Sequence, residues 1–178
     1  TPIHEDGHLV GVEVVFQDIA RRKAMEAELM RLATTDALTG IANRRRFLEY
    51  TESELARVKR YSETSYLLML DLDNFKSVND IWGHSVGDAA LRHFADLCRL
   101  RVRQADFFGR LGGEEFAIVL SRTDREGALQ FAEALRRSVA ESPVPSAKGP
   151  VPLTVSIGIA EFRDSDESSD NILVRADV

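Results

Sequence analysis

The sequence holds a single cysteine, Cys98, in 178 residues. One thiol excludes a disulfide framework and a cysteine zinc cluster, and it fits a reducing cytoplasm. Cys98 itself falls in a helical apolar pattern and reads as core. No apolar run approaches the roughly 20 residues of a membrane span, and no signal-peptide pattern opens the chain. This segment is therefore expected to make no direct membrane contact, which leaves open a parent protein anchored upstream. Positive charge is also short, with 23 Lys and Arg against 29 Asp and Glu for a net charge of -6. That balance excludes a field able to track a polynucleotide backbone. His84 and His93 have no partners at metal spacing and read as structural. No internal repeat or low-complexity tract is present. What remains is 44% hydrophobic and 29% charged, enough for one globular domain with residues to spare.

Residues 1–16 read as a hairpin, with EDGH at 5–8 as the turn and LVGVEVVF at 9–16 as a β-branched strand. From Asp18 the pattern turns helical, with Met25, Leu29 and Leu32 in a stripe that suits either a parallel dimer stalk or a helix lying on the domain. Beyond the break at Gly40, residues 43–60 put Leu48, Thr51, Leu55 and Val58 on one helical face. YLLML at 66–70 reads as a fully buried strand and FAIVL at 116–120 as another. Helices are expected near 88–100, with Leu91, Phe94, Ala95 and Cys98 in phase, and near 125–140, with Ala128, Ala132, Leu135 and Val139 in phase. The stretch 142–152 is a loop by composition, and 153–162 alternates as a strand through Leu153, Val155, Ile157 and Ile159. The succession of helices and strands predicts an α/β sandwich, with helices packed on a sheet.

Carboxylates stand where these strands end. YLLML runs into DLDNFKSVND, which puts Asp71 at the edge of the core and Asp73 two residues on. A second acidic pair, Glu114 and Glu115, follows Gly112 and Gly113, whose freedom at positive φ suits a tight hairpin. If the two strands are neighbours, like charges converge, at a cost on the order of 1 kcal/mol per pair in water and more when partly buried. A divalent cation removes that cost. Oxygen ligands without a histidine or thiol cluster point to Mg²⁺, which uses one or two carboxylates, water and substrate phosphates. Gly83 and Gly87 mark turns before a helix starting near Asp88, and the backbone N–H groups of FKSVND with Lys76 suit phosphate oxygens.

DALTGIANRR at 36–45, DLDNFKSVND at 71–80, GHSVGD at 83–88, GGEEF at 112–116 and TVSIGIA at 154–160 together resemble the GGDEF family of diguanylate cyclases. The resemblance implies a palm-like nucleotidyl-cyclase fold of the α/β (α+β sandwich) class, with a central, mainly antiparallel sheet flanked by helices. It implies condensation of two GTP into cyclic di-GMP and two pyrophosphates, with one GTP per domain and a homodimer for activity. Position by position, it makes Asp71, Glu114 and the Leu72 carbonyl the ligands of Mg²⁺, with Mn²⁺ as the alternative ion. Glu115 becomes the neighbouring acid and Lys76 the phosphate contact. Asn74 and Phe75 supply the backbone phosphate cradle, Asn79 and Asp88 read guanine, and Gly112 and Gly113 let the nucleotide approach. A carboxylate at Asp88 accepts from guanine N1–H and N2–H₂, which adenine does not present in that arrangement.

RQAD at 103–106 matches the RxxD product-inhibition motif, so the resemblance assigns Arg103 and Asp106 to bound cyclic di-GMP; from the sequence alone they read as a surface ion pair. Residues 1–17 resemble the last two strands of a PAS sensor domain, residues 18–33 a helical signalling linker, and residues 34–178 the GGDEF domain, apparently truncated at its C-terminus. The competing expectation is a non-catalytic GGDEF module that binds GTP or cyclic di-GMP to relay a signal. The acids that degenerate members lose are present here.

Overall fold

The structure, a computed structural model, describes residues 4–5, 8–9 and 11–177. The chain divides into two compact units, Thr1–Thr34 and Thr35–Val178. In the first, β1 (His4–Glu5) pairs antiparallel with β2 (His8–Leu9), His4 opposite Leu9. Asp6 and Gly7, the centre of the expected turn, lie outside the described residues. The long helix α1 then runs over Gly11–Thr34. The strand expected through residue 16 therefore stops at Leu9. β-branched residues favour a strand only where a pleated neighbour receives them. Extending an existing helix backwards adds one hydrogen bond per residue fixed, with no new nucleation cost. Met25, Leu29 and Leu32, the stripe read from sequence, are all exposed.

The second unit is built on a four-stranded antiparallel sheet of β3 (Tyr66–Leu72), β4 (Phe107–Gly112), β5 (Glu115–Leu120) and β6 (Val155–Glu161), in the order β4-β5-β3-β6. Alternation along β3 sends Leu68, Leu70 and Leu72 into one core with Phe116, Ile118 and Leu120, while Leu67 joins Ala117 and Val119 in another. The first core is closed by α4 (His84–Arg99) and α5 (Arg125–Glu141), through Leu91, Phe94, Cys98, Ala128, Leu135 and Val139. The second is closed by α2 (Arg44–Tyr61) and α6 (Ser169–Ala176), through Phe47, Leu55, Val58 and Ile172. Helices on both faces of an antiparallel sheet are the architecture expected from the sequence.

Local chemistry sets the helix ends. Asn43 accepts from Arg46 N at 3.0 Å and Asp124 from Gly127 N at 2.8 Å, each capping a first turn. The α2 face is anchored by fully buried Phe47, whereas Leu48 is only half-buried. Three elements differ from expectation. Strand β4 was not anticipated, because FFGRLG carries two glycines and a charge; its Gly109 is required by packing, since a Cβ there would lie 2.9 Å from Phe47 Cβ. FKSVND, to which the sequence pattern assigns no element, forms a helix, α3 (Phe75–Trp82). Helix α4 starts at His84, so Gly87 lies inside it and not at a turn. The glycine there serves close packing, because an added Cβ would overlap Asn79 Oδ1 of α3.

Candidate active site

The register of the sheet brings the acids together. Asp71 of β3 lies directly opposite Glu115 of β5, and Leu70 opposite Phe116. Residues paired in this way share a face, with Cβ atoms about 5 Å apart. Strands β4 and β5 are joined by a two-residue turn, Gly113 and Glu114, because Gly112 pairs with Glu115. Gly113 has φ +49°, the conformation for which glycine was expected in this hairpin. The Glu114 carbonyl accepts from Leu72 N at 3.4 Å, which holds the tip of the turn against the end of β3.

Asp71 is half-buried, and its carboxyl titrates above its ordinary value. Burial is the largest cause, followed by the charges of Glu114, Glu115, Asp73 and Asp177. Asp177, which follows α6, was not singled out from sequence; its charge acts on Asp71 because α6 packs against β3 and β6. Asp73 is committed elsewhere, since its two oxygens accept from Thr154 Oγ1 at 2.6 Å and Ser156 Oγ at 2.7 Å. Asp73 thus fastens β3 to the start of β6, and the acids left for chemistry are Asp71, Glu114 and Glu115.

Arg110, on β4 next to this turn, is also committed. Arg110 donates from Nη1 to Asp36 and from Nε and Nη2 to the Gly113 carbonyl. Among the described residues, no group of three or more His, Cys, Asp or Glu side chains is arranged to hold a metal ion. Two carboxylates and a backbone carbonyl suffice for Mg²⁺, whose remaining positions are filled by water and phosphate oxygens. The all-oxygen donor set and the like charges acting on Asp71 fit such an ion.

Asn74 adopts φ +55° and begins α3; Ser77 N and Val78 N donate back to its carbonyl, at 2.8 and 3.3 Å. Phe75 is buried beneath this turn, while Lys76 is exposed on it. Helices α3 and α4 meet where Asn79 packs against Gly87, which puts Asn79 beside the turn that carries the exposed Asp88. His84 is exposed, and His93 Nε2 lies 2.9 Å from the Ser142 carbonyl, a structural contact. Cys98 is fully buried and its thiol is pushed far up by desolvation, which leaves it inert.

Arg103 and Asp106 lie before β4. Asp106 Oδ2 accepts from the backbone N of Arg103 at 2.8 Å, so this carboxylate caps a turn and the surface ion pair expected from sequence is replaced by a backbone contact. The Arg103 side chain lines a recess of about 590 Å³ together with Glu63, Thr64, Arg122, Thr123, Asp124 and Gly127. Arg122 was not anticipated. It has φ +51°, and its Nε donates to Glu63 Oε2 at 3.1 Å.

A family model described as the diguanylate cyclase GGDEF domain matches residues 33–178. Diguanylate cyclase DgcP of Pseudomonas aeruginosa is 41% identical over 145 residues, covering 82% of this chain and 22% of that protein. Diguanylate cyclase DgcM of Escherichia coli K12 is 39% identical over 163 residues, covering 92% and 39%. The chain thus spans well under half the length of either relative. Among solved structures, the coiled coil and GGDEF domain of DgcB from Caulobacter crescentus, in complex with c-di-GMP, is similar at TM-score 0.86 and 29% identity. That match covers 93% of this chain and 88% of the other.

Proposed function

The chain belongs to the GGDEF domain family of diguanylate cyclases, and from that premise we propose that it condenses two GTP molecules into cyclic di-GMP, releasing two pyrophosphates. The observation that carries this reading is the acid site itself. Asp71 is held opposite Glu115 on neighbouring strands, with Glu114 in the turn between β4 and β5, and the charges of both glutamates raise its carboxyl above the ordinary value after burial has done so.

Asp71, Glu114 and the carbonyl of Leu72 are the groups that would hold Mg²⁺ or Mn²⁺. Bound there, the ion supplies charge neutralisation at the α-phosphate and a lowered pKa for the attacking hydroxyl. The chain's own residues do the rest. The first turn of α3, at Asn74 and Phe75, cradles phosphate oxygens with backbone N–H groups, and Lys76 adds a point charge. Asn79 and Asp88 read the guanine edge and select GTP over ATP. Glu115 accepts the proton of the ribose 3′-hydroxyl, and Gly112 and Gly113, lacking side chains, allow the nucleotide to lie against the turn. The hydroxyl attacks the α-phosphorus of the partner's GTP in line with the departing pyrophosphate.

One domain binds one GTP, so activity requires two copies facing each other. Holding the two substrates in attack geometry is worth roughly 7–11 kcal/mol of barrier, which makes dimer arrangement the natural point of control by a sensory segment upstream. Residues 18–33 fit such a signalling linker, and residues 1–17 the end of a PAS sensor. Product inhibition at Arg103 and Asp106 completes the reading. Arg122, facing the same recess as Arg103, supplies a second guanidinium for a guanine edge or a phosphate.

The test is incubation of the chain with Mg²⁺ and either GTP or ATP, followed by chromatography. The proposal expects cyclic di-GMP from GTP and no cyclic dinucleotide from ATP. Tight GTP binding by a folded dimer that forms no product would replace it with the relay-module reading.

A further inference from the structure

Beyond the long 3.4 Å bond from Leu72 N to the Glu114 carbonyl, the turn that presents Glu114 has little of its own to stiffen it. Gly112 and Gly113 are exposed, and a Cβ built on either would meet no atom within 4 Å. Two adjacent glycines with open space around them have the widest backbone freedom of any residue pair. A site that orients two reacting nucleotides needs the opposite, since a misplacement of about 1 Å is enough to cost on the order of 100-fold in rate.

Arg110 answers this need. Its Nε and Nη2 both donate to the Gly113 carbonyl, at 2.9 and 2.7 Å, which fixes the peptide immediately preceding Glu114. Its remaining nitrogen, Nη1, reaches both oxygens of Asp36, at 3.1 and 3.3 Å. The guanidinium also lies 6.0 Å from the centre of the buried Phe116 ring, within cation–π range. With only 13% of the Arg110 side chain exposed, and 23% of that of Asp36, this pair is shielded from water.

Asp36 is in turn immobilised by its own loop. Its Oδ1 accepts from Thr39 N at 2.9 Å and Thr39 Oγ1 at 2.6 Å, while its backbone N–H donates to the Ile41 carbonyl at 2.8 Å. The loop is bound to β4 by Arg110 N donating to the Ala42 carbonyl at 2.9 Å, and to α4 by Arg99 Nη2 donating to the Thr39 carbonyl at 2.6 Å. A continuous path of hydrogen bonds thus runs from the first residues of the second unit to the peptide before Glu114.

We propose that Arg110 is a positioning residue for the cyclase reaction, bracing the Gly113 peptide so that Glu114 and Glu115 face Asp71, and that Asp36 is the anchor which holds the brace. The inference rests on the proposed cyclase activity for its kinetic consequence, but its structural half stands without it. The brace needs the planar fork of arginine. A lysine carries the charge but cannot place two donors on Gly113 and a third on Asp36, so Arg110→Lys is expected to resemble Arg110→Ala.

The experiment measures amide hydrogen exchange, nucleotide affinity and turnover for the full chain and for Arg110→Ala, Arg110→Lys, Asp36→Asn and the Arg110→Ala/Asp36→Asn double variant. Exchange at Gly113, Glu114 and Glu115 should accelerate about ten-fold or more in each variant, with Leu67 and Leu68 in β3 unchanged. The kcat should fall about ten- to hundred-fold while affinity for a non-hydrolysable GTP analogue stays within about two-fold. The double variant should be no worse than Arg110→Ala, as expected for two residues in one network. The proposal is overturned if turn exchange is unchanged, if β3 accelerates equally, if Arg110→Lys restores the wild-type turn, or if the double variant loses the product of the single losses. Should the wild-type chain form no cyclic di-GMP, the cyclase reading fails, and the exchange pattern still decides the brace.

Discussion

Gly87→Ala places a methyl group where Asn79 Oδ1 already lies, and no shift of a few tenths of an ångström relieves that overlap. Either the Asn79 amide turns away or α3 and α4 move apart. Overpacking of this kind costs about 1–3 kcal/mol of stability. In a protein of this size that corresponds to a fall in Tm of roughly 2–12 °C. If Asn79 turns away, the neutral hydrogen bond to guanine proposed for it is lost, worth about 0.5–1.5 kcal/mol, or roughly 2- to 12-fold in GTP affinity. Gly83→Ala supplies the control. Gly83 has φ +87°, so a side chain there is strained, yet a Cβ meets nothing within 4 Å. It should lower Tm by a comparable amount and leave GTP affinity within about two-fold. The assay is calorimetric titration with a non-hydrolysable GTP analogue, paired with thermal melting of both variants. Gly87→Ala that binds as wild type does, at an unchanged Tm, would refute the steric argument and with it the reason given for glycine inside α4.

Three further outcomes follow from the same geometry. Burial opposes ionisation of Asp36, but the bonds from Thr39 and the charge of Arg110 outweigh it and hold the carboxyl below its ordinary value. The stability this contributes is present above about pH 4, the unfolded carboxylate range. It is lost as pH falls through the lower folded value, so denaturant midpoints of wild type and Asp36→Asn should differ at pH 7 and converge toward pH 3. Phe94→Ala removes a fully buried ring that meets Phe116 edge-on at 4.8 Å. It should cost about 3–5 kcal/mol in urea unfolding, and a loss below about 1 kcal/mol would contradict the core assignment. Arg122→Ala should raise the cyclic di-GMP concentration needed for half-maximal inhibition without altering initial rates, and unchanged inhibition would remove Arg122 from the product site.

The sequence and the fold correspond most closely where one periodicity holds over a long stretch. Leu91, Phe94, Ala95 and Cys98, like Ala128, Ala132, Leu135 and Val139, are buried as their spacing implies, because a helix face needs only its own residues to be read. Strand β4 was obscured by Gly109, which the close approach of Phe47 requires, and a packing requirement between distant segments leaves no local pattern. The start of α4 was misjudged for the same reason, with Gly87 taken for a turn when it serves an interhelical contact. Residues 11–16 show the converse, since valines that read as a strand continue a helix. At the site, Asp71, Glu114 and Glu115 stood out as acids at strand ends. Asp36, Arg110 and Asp177 reach it only through tertiary packing, and for them the cue in the sequence was their membership of motifs, DALTG, RLGGEEF and VRAD, rather than any spacing.

In the proposed function, the acids converging at Asp71 make this unit a cyclase. The most direct measurement of this claim is cyclic di-GMP formed from GTP and Mg²⁺ by wild type and by Asp71→Asn, with the melting temperature of each in metal-free buffer. Product is expected from wild type and none above background from the variant. The variant should also melt higher, since one charge has left a cluster whose repulsion costs on the order of 1 kcal/mol. Equal product from both proteins would contradict the assignment of Asp71. A variant that is inactive because it is unfolded would contradict the placement of Asp71 among mutually repelling acids.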